Sequence, residues 1–125
     1  MLKLVTKEVK HVIEYMGAKF EVIPNTKEKH KELIEKHTYM KPVKKGPHKK
    51  TEYVEAIDFT ELLVDRIDTQ VTGWSGISGN PECNSENKRA LAIRPENNHI
   101  CTYLMDEIDN IGVAIQEVEE KKTKN

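Results

Sequence analysis

The sequence predicts an α+β fold, mainly helical, with three to four helices and an N-terminal β-hairpin. Three observations predict it. Apolar residues recur at three- and four-residue intervals over 62–71 and again over 100–118, the spacing of one helix face. Apolar and charged residues alternate over 18–22, the period-two mark of a half-buried strand. Between the two helical segments, Val71-Thr72-Gly73-Trp74-Ser75-Gly76-Ile77-Ser78-Gly79-Asn80-Pro81 holds three of the six glycines and the only tryptophan, which marks a turn region.

The hairpin is expected over 9–23. Val9, Val12, Ile13 and Tyr15 precede Met16-Gly17, and Phe20, Val22 and Ile23 follow. The first arm also fits a helix face, but its β-branched residues and the placement of Gly17 favour a strand. Two strands alone are marginal, so this hairpin must lie on the helices or gain a strand from elsewhere. Pro24-Asn25-Thr26 ends it. Asn25 with Glu28 reads as a reciprocal cap opening a helix to about His37, whose apolar stripe is little more than Leu33 and Ile34.

Residues 38–52 read as a flexible basic loop. Pro42, Gly46 and Pro47 argue against regular structure, and Lys41, Lys44, Lys45, Lys49 and Lys50 repel one another. Asp58 with Glu61, and Ile57 ahead of them, is a helix-start signal. Leu62, Leu63, Val64, Ile67 and Val71 then form the apolar face of what is expected to be the most buried helix. It runs into the turn at Gly73, Trp74 and Gly76, where the indole needs a partner surface and is expected to plug the loop onto the adjoining helices. Ser85 is the expected cap of a short helix that stops before Arg94-Pro95. The last helix starts near Pro95, and Ile100, Leu104, Ile108, Ile111, Ile115 and Val118 make its sustained stripe. Glu117, Glu119 and Glu120 oppose the helix dipole at its end, so 121–125 is expected as a tail after a single domain over 1–120.

Composition limits what such a chain does. It is 33% charged and 37% apolar with two Phe, which allows only a thin core. Its net charge of −1 hides an asymmetry: residues 1–50 carry 13 Lys against 6 Glu, and the remainder carries 7 basic against 15 acidic residues. Opposite-signed halves can fold together, stack as a homo-oligomer or meet two partners. No apolar run spans a bilayer, and Met1 to Lys7 lacks the apolar core of a secretion signal, so no membrane partner and a cytoplasmic location are expected. Cys83 and Cys101 lack CxxC spacing and are expected as free thiols, with a single disulfide open only if the fold brings them together.

The usual chemistry-bearing patterns are missing. Gly73-Trp74-Ser75-Gly76 places a ring where a phosphate-binding backbone must approach its ligand. Gly76-Ile77-Ser78-Gly79 lacks the strand and the base of a nucleophile elbow. His30 and His37 stand two turns apart, too far for one ion, and His99 and Cys101 face away from each other on a helix. Asp65 with Asp68, and Asp106 with Asp109, have polar-face spacing. The expectation is a non-enzyme with no metal and no cofactor. Lys41, Lys44, Lys45, Lys49 and Lys50 are candidate phosphate contacts for nucleic acid, weakened by the absence of arginine and by Tyr39 as the only aromatic among them.

From Ile67 and Val71 through Gly73, Trp74, Gly76, Asn80, Pro81 and Cys83 to Ser85, Glu86, Asn87 and Lys88, the chain resembles a tailed-bacteriophage family of tail assembly chaperones and minor tail proteins. Its members carry an apolar helix ending in Gly-Trp-x-Gly, a short spacer, then Cys or Phe with Ser/Thr-x-Glu-Asn before a helix. A second helix rich in Ile and Ala follows, as at Ile100 to Ile115, so the resemblance spans Leu62 to Val118. The N-terminal Lys19-Phe20-Glu21-Val22-Ile23-Pro24 followed by a charged helix is similar in plan, whereas the basic loop has no counterpart. The resemblance implies a chaperone that binds the tape-measure protein in the host cytoplasm during tail morphogenesis. The alternative is a structural tail or head–tail connector subunit. For either, Ile100, Leu104, Ile108, Ile111 and Ile115 are the candidate partner-binding surface, because so long a helix is expected to outrun its domain.

Overall fold

The computed structural model describes residues 9–48 and 50–123, with side chains as far as residue 115. Among these residues the order is β1 (His11–Tyr15), β2 (Ala18–Val22), α1 (Lys27–Lys36), β3 (Thr38–Lys45), β4 (Lys50–Ile57), α2 (Phe59–Gln70), β5 (Val71–Ser75), α3 (Ser85–Ile93), a tight 3-10 turn at Pro95–Asn97 and α4 (Asn98–Thr123). The expected mainly helical fold is wrong. Helices share the chain with two small sheets, β1-β2-β5 and β3-β4, so the architecture is α+β with a larger strand component.

The physical reason lies in two stretches read as turn or loop. The first is Val71–Ser75, which leaves α2 and pairs antiparallel with β2, placing Phe20 opposite Trp74 and Val22 opposite Val71. It thus supplies the third strand that β1 and β2 need. Strict alternation would send Val71 and Trp74, three residues apart, to opposite faces. A bulge between these pairs absorbs Thr72, so both side chains reach the core face, while the Thr72 hydroxyl donates to the Glu21 carbonyl at 3.2 Å. Gly73 and Trp74 therefore belong to a strand, and of the three expected turn residues only Gly76 lies in a turn. Gly76 has φ +74, and a Cβ there would stand 2.7 Å from the Gly17 carbonyl oxygen in the β1–β2 turn.

The second misread stretch is the basic segment. Thr38–Lys45 and Lys50–Ile57 form a regular antiparallel ribbon, not a flexible loop. Pro42 lies on a strand with an open edge, where a missing N–H breaks no ladder bond. Gly46, at φ +81, serves the turn.

Local capping follows short-range chemistry. Asp58 caps α2, its Oδ1 accepting from the Glu61 amide at 3.1 Å. Thr26, not Asn25, caps α1, and Asn84, not Ser85, caps α3. The displaced candidates have other partners: Ser85 donates to Asp68 at 2.8 Å, and Asn25 reaches α4. The last helix continues through Thr123, so 121–123 are helical, and 124–125 lie outside the described residues.

The core lies between the inner face of the three-stranded sheet and α2, α3 and α4. Phe20 and Val22 from β2 meet Ile67, Val71, Leu91, Cys101, Leu104 and Ile108. Leu104 and Ile108 are wholly buried, and Ile100 and Ile111 flank them half-buried. The stripe expected to face a partner is thus largely the domain's own core, because the sheet covers it; only Ile115, 36% exposed, remains at the surface. Val118 lies outside the residues whose side chains are described.

Beside this apolar contact sits a polar one. Arg66 and Gln70 on α2 are buried. Arg66 Nη2 meets Asp109 Oδ1 at 2.6 Å, Asn25 Nδ2 donates to the same oxygen at 2.8 Å, and Gln70 Nε2 donates to Asn25 Oδ1 at 3.0 Å. These bonds bring α4 so close to the segment after β2 that a Cβ on Gly112 would overlap the Asn25 carbonyl. Gly112→Ala must separate α4 from Asn25 and is expected to cost about 1–3 kcal/mol, the penalty of overpacking, in urea unfolding. A destabilisation no larger than that of an exposed helical substitution contradicts the close approach.

Candidate interaction surface

The β3–β4 ribbon is the part of the molecule that its own fold does not use. Neither strand packs extensively on any other described element. It is anchored at the root. The Asp58 amide donates to the His37 carbonyl at 2.9 Å, and the Thr38 hydroxyl donates to the Ile34 carbonyl at 2.6 Å. Beside them, Asp65 Oδ2 on α2 takes both Lys36 Nζ and His37 Nε2 at 2.8 Å. Burial alone would raise the Asp65 carboxyl, but hydrogen bonds and charge from Lys36 and His37 outweigh it and hold the group below its ordinary value of 3.8.

Residues opposite each other in the register share a face. One face carries Met40 opposite Glu55, Pro42 opposite Tyr53 and Lys44 opposite Thr51. Met40, Pro42 and Tyr53 make a continuous apolar patch in water; Tyr53 is 65% exposed. The other face carries Tyr39, Lys41, Val43 and Lys45, with Lys45 directly opposite Lys50. Two ammonium groups so placed repel, and the 3.9 Å contact of Lys45 with Glu52 relieves them only in part. The ribbon therefore combines exposed apolar area with an excess of positive charge near its tip. Of the lysines expected as phosphate contacts, it brings together Lys41, Lys44, Lys45 and Lys50; Lys49 lies outside the described residues.

The remaining candidate residues have structural partners. Trp74 meets Phe20 edge-on with ring centroids 6.4 Å apart, and its Nε1 donates to the Pro81 carbonyl at 2.8 Å, closing the 76–81 loop onto the sheet. Cys83 and Cys101 are free thiols. Cys101 Sγ donates to the Leu91 carbonyl at 3.2 Å, and burial pushes both thiols up. His99 Nδ1 bonds the Tyr15 hydroxyl at 2.8 Å. Asp68 bonds Ser85 and approaches Lys88, and Asp109 holds Arg66. Among the described residues no group of three His, Cys, Asp or Glu side chains is arranged to hold a metal, and no described helix is long and apolar enough to cross a membrane.

No protein-family model, curated protein or solved structure matches the chain. The resemblance to phage tail proteins therefore rests on the quoted residues alone.

Sequence reasoning missed the ribbon as a surface because Tyr53 and Met40 lie 13 positions apart and meet only through the strand register. The available signal was the alternation of Tyr53 and Glu55 with Val54 and Ala56, obscured by Pro42 in the preceding strand and Pro47 in the turn.

The anchor at the ribbon root has a defined pH signature. Because the folded carboxyl of Asp65 lies below its ordinary value, its contribution is complete above pH 3.8 and is lost as pH falls through the lower folded value. The stability gap between wild type and Asp65→Asn is expected to be widest near neutrality and to close on acidification below 3.8, in urea titrations across pH. A gap that stays constant or widens in acid refutes the assignment.

Proposed function

We propose that the chain is a non-enzymatic binding protein of phage tail assembly that grips a tail protein, the tape-measure protein first among candidates, through its β3–β4 ribbon. The observation that carries this reading is the exposed patch of Met40, Pro42 and Tyr53 on a ribbon to which the rest of the fold lends almost no cover. A two-stranded ribbon is marginal by itself in water, and a partner laid on its apolar face supplies the missing burial. The phage setting comes from the resemblance over Leu62 to Val118, and a tape-measure protein, long, apolar and helical, is the kind of client such a face suits. The candidate surface thereby moves from α4 to the ribbon. Titratable side chains engaged in structural pairs, at Asp65, Asp68 and Asp109, favour binding over catalysis.

Co-expression with a tape-measure fragment tests this. Wild type keeps the fragment soluble, whereas Met40→Lys/Tyr53→Lys loses that capacity with its melting temperature unchanged, because the patch lies outside the core. Equal protection by wild type and variant removes the proposal. Ile108→Lys does not serve here, since a charge at that buried site unfolds the domain.

A second reading is favoured by the lysines at the ribbon tip. A two-stranded ribbon fits the DNA major groove, and Lys41, Lys44, Lys45 and Lys50 are its candidate phosphate contacts. It predicts binding to duplex DNA whose logarithmic salt slope falls by about 0.9 for each contacting lysine replaced by alanine. Binding without salt dependence, or unaffected by these replacements, excludes it.

A further inference from the structure

Away from the ribbon, the structure contains a cavity of about 460 Å³ between the β1–β2 turn, the sheet, the 76–81 loop, α3 and the start of α4. We propose that this cavity binds a small uncharged molecule, an apolar ring bearing a hydroxyl group. Three independent observations lead to that chemistry.

The first is charge. In a chain that is 33% Asp, Glu, Lys and Arg, none of these four residue types lines the cavity. A charged ligand would lose its hydration there and meet no Asp, Glu, Lys or Arg side chain as counterion, which favours a neutral one. The second is the economy of aromatic residues. The chain has one Trp and two Phe, yet Trp74, Phe20 and Tyr15 all face this space. The volume lies within the range of small-molecule sites, which are mostly apolar with a few fixed polar groups.

Three of those polar side chains spend one donor each on structure. Trp74 Nε1 donates to the Pro81 carbonyl, Asn87 Nδ2 to the Glu82 carbonyl at 2.8 Å and Asn97 Nδ2 to the Ala90 carbonyl at 3.4 Å. The polar pair at the solvent side is Tyr15 OH with His99 Nδ1, 2.8 Å apart, while the side-chain oxygens of Asn87 and Asn97 keep their acceptor capacity. Each member of the pair has remaining capacity: the phenol oxygen accepts a further bond, and the imidazole has a second nitrogen. A hydroxyl on an apolar ring matches such a polar pair at the edge of an apolar interior.

The third observation is Met16, which lies at the cavity mouth. It occupies the first central position of the β1–β2 turn with φ +49, followed by Gly17 at +84. Two positive φ values are the pattern of a type I′ turn, where Asn or Gly is preferred and a long side chain is strained. Met16 is also 83% exposed, so the core gains almost nothing from it. A flexible, polarizable thioether at the lip of an apolar cavity accounts for a residue that the turn itself disfavours.

The test uses 4-cyclohexylphenol as probe and an anionic analogue that carries a carboxylate in place of the hydroxyl, 4-cyclohexylbenzoate, as control. Trp74 is the only indole and lines the cavity, so its emission reports occupancy directly, and proton–nitrogen NMR maps the shifted amides. Wild type is expected to bind the phenol saturably at one site, with shifts confined to β1, β2, β5, α3 and the start of α4, and to bind the benzoate at least about tenfold more weakly. Met16→Asn restores the preferred turn residue, so its melting temperature is expected to hold or rise while affinity falls about tenfold. Ala90→Phe fills the cavity from α3 and is expected to abolish binding. The ribbon variant Met40→Lys/Tyr53→Lys is expected to bind the probe as wild type does, which separates this site from the proposed tail-protein surface. The proposal is overturned by non-saturable binding, by benzoate binding equal to the phenol, by Met16→Asn retaining full affinity, or by a cavity that proves to be filled by a second copy of the chain in solution.

Discussion

A guanidinium buried between helices must be paired, and satisfying Arg66 constrains much of this molecule. Its partner Asp109 is on α4, while Gln70, one turn further along α2, is buried and bonds Asn25 from the segment after β2. The Gln70 carbonyl also accepts from the Ile23 amide at 2.8 Å, so the same residue fixes where the sheet ends against the helix. Three regions remote in sequence are thereby held in one register. Removing any one member leaves another buried and unsatisfied, which is costlier than the bond itself is stabilising. The glycine at 112 is the steric counterpart: it lets the helix approach closely enough for these bonds to form.

Once α4 is set in that register, Leu104 and Ile108 fall onto the sheet and the apolar core closes. β5 completes it from the other side. Because α2 passes into β5 without an intervening loop, the orientation of the helix and the pairing of the strand are coupled, and the Thr72 bulge reconciles them. The result is a small body that packs the inner sheet face against the core-facing sides of its helices, while Phe59, Ile93 and Val113 stay exposed. The ribbon, where Tyr39, Met40 and Tyr53 stay in solvent, and the cavity beside Trp74, where aromatic residues line open space, stand apart from that packing. An apolar patch held in water and aromatic residues lining open space are both places where binding is expected to reside.

Much of the local structure was legible. The alternation of Ala18, Phe20 and Val22, the Gly17 turn, the Asp58 cap and the stripe of α4 each express a rule acting over a few residues, and each locates an element. The stripe did not reveal its own destination. Ile100 to Ile111 is equally periodic whether it faces a sheet or a foreign protein, and nothing within the helix distinguishes the two. The lysines at 41–50 were visible as a charge cluster, but their arrangement on two strands was not, because Pro42 and Gly46-Pro47 imitate a linker when the open strand edge and the turn that accommodate them are unknown. Asn25 was misassigned for a related reason: Thr26 serves the cap equally well, and Asn25 is drawn away by Gln70 and Asp109.

The sequence by itself determined where the helices lie, where the first hairpin turns and which residues are apolar enough to enter a core, because these depend on propensity, capping and short-range periodicity. Only the tertiary structure decided that Val71–Ser75 is a strand, that the α4 stripe is interior and that Met40 and Tyr53 share one exposed face. Strand pairing and burial depend on partners far away along the chain, and a residue's own neighbours carry no record of them.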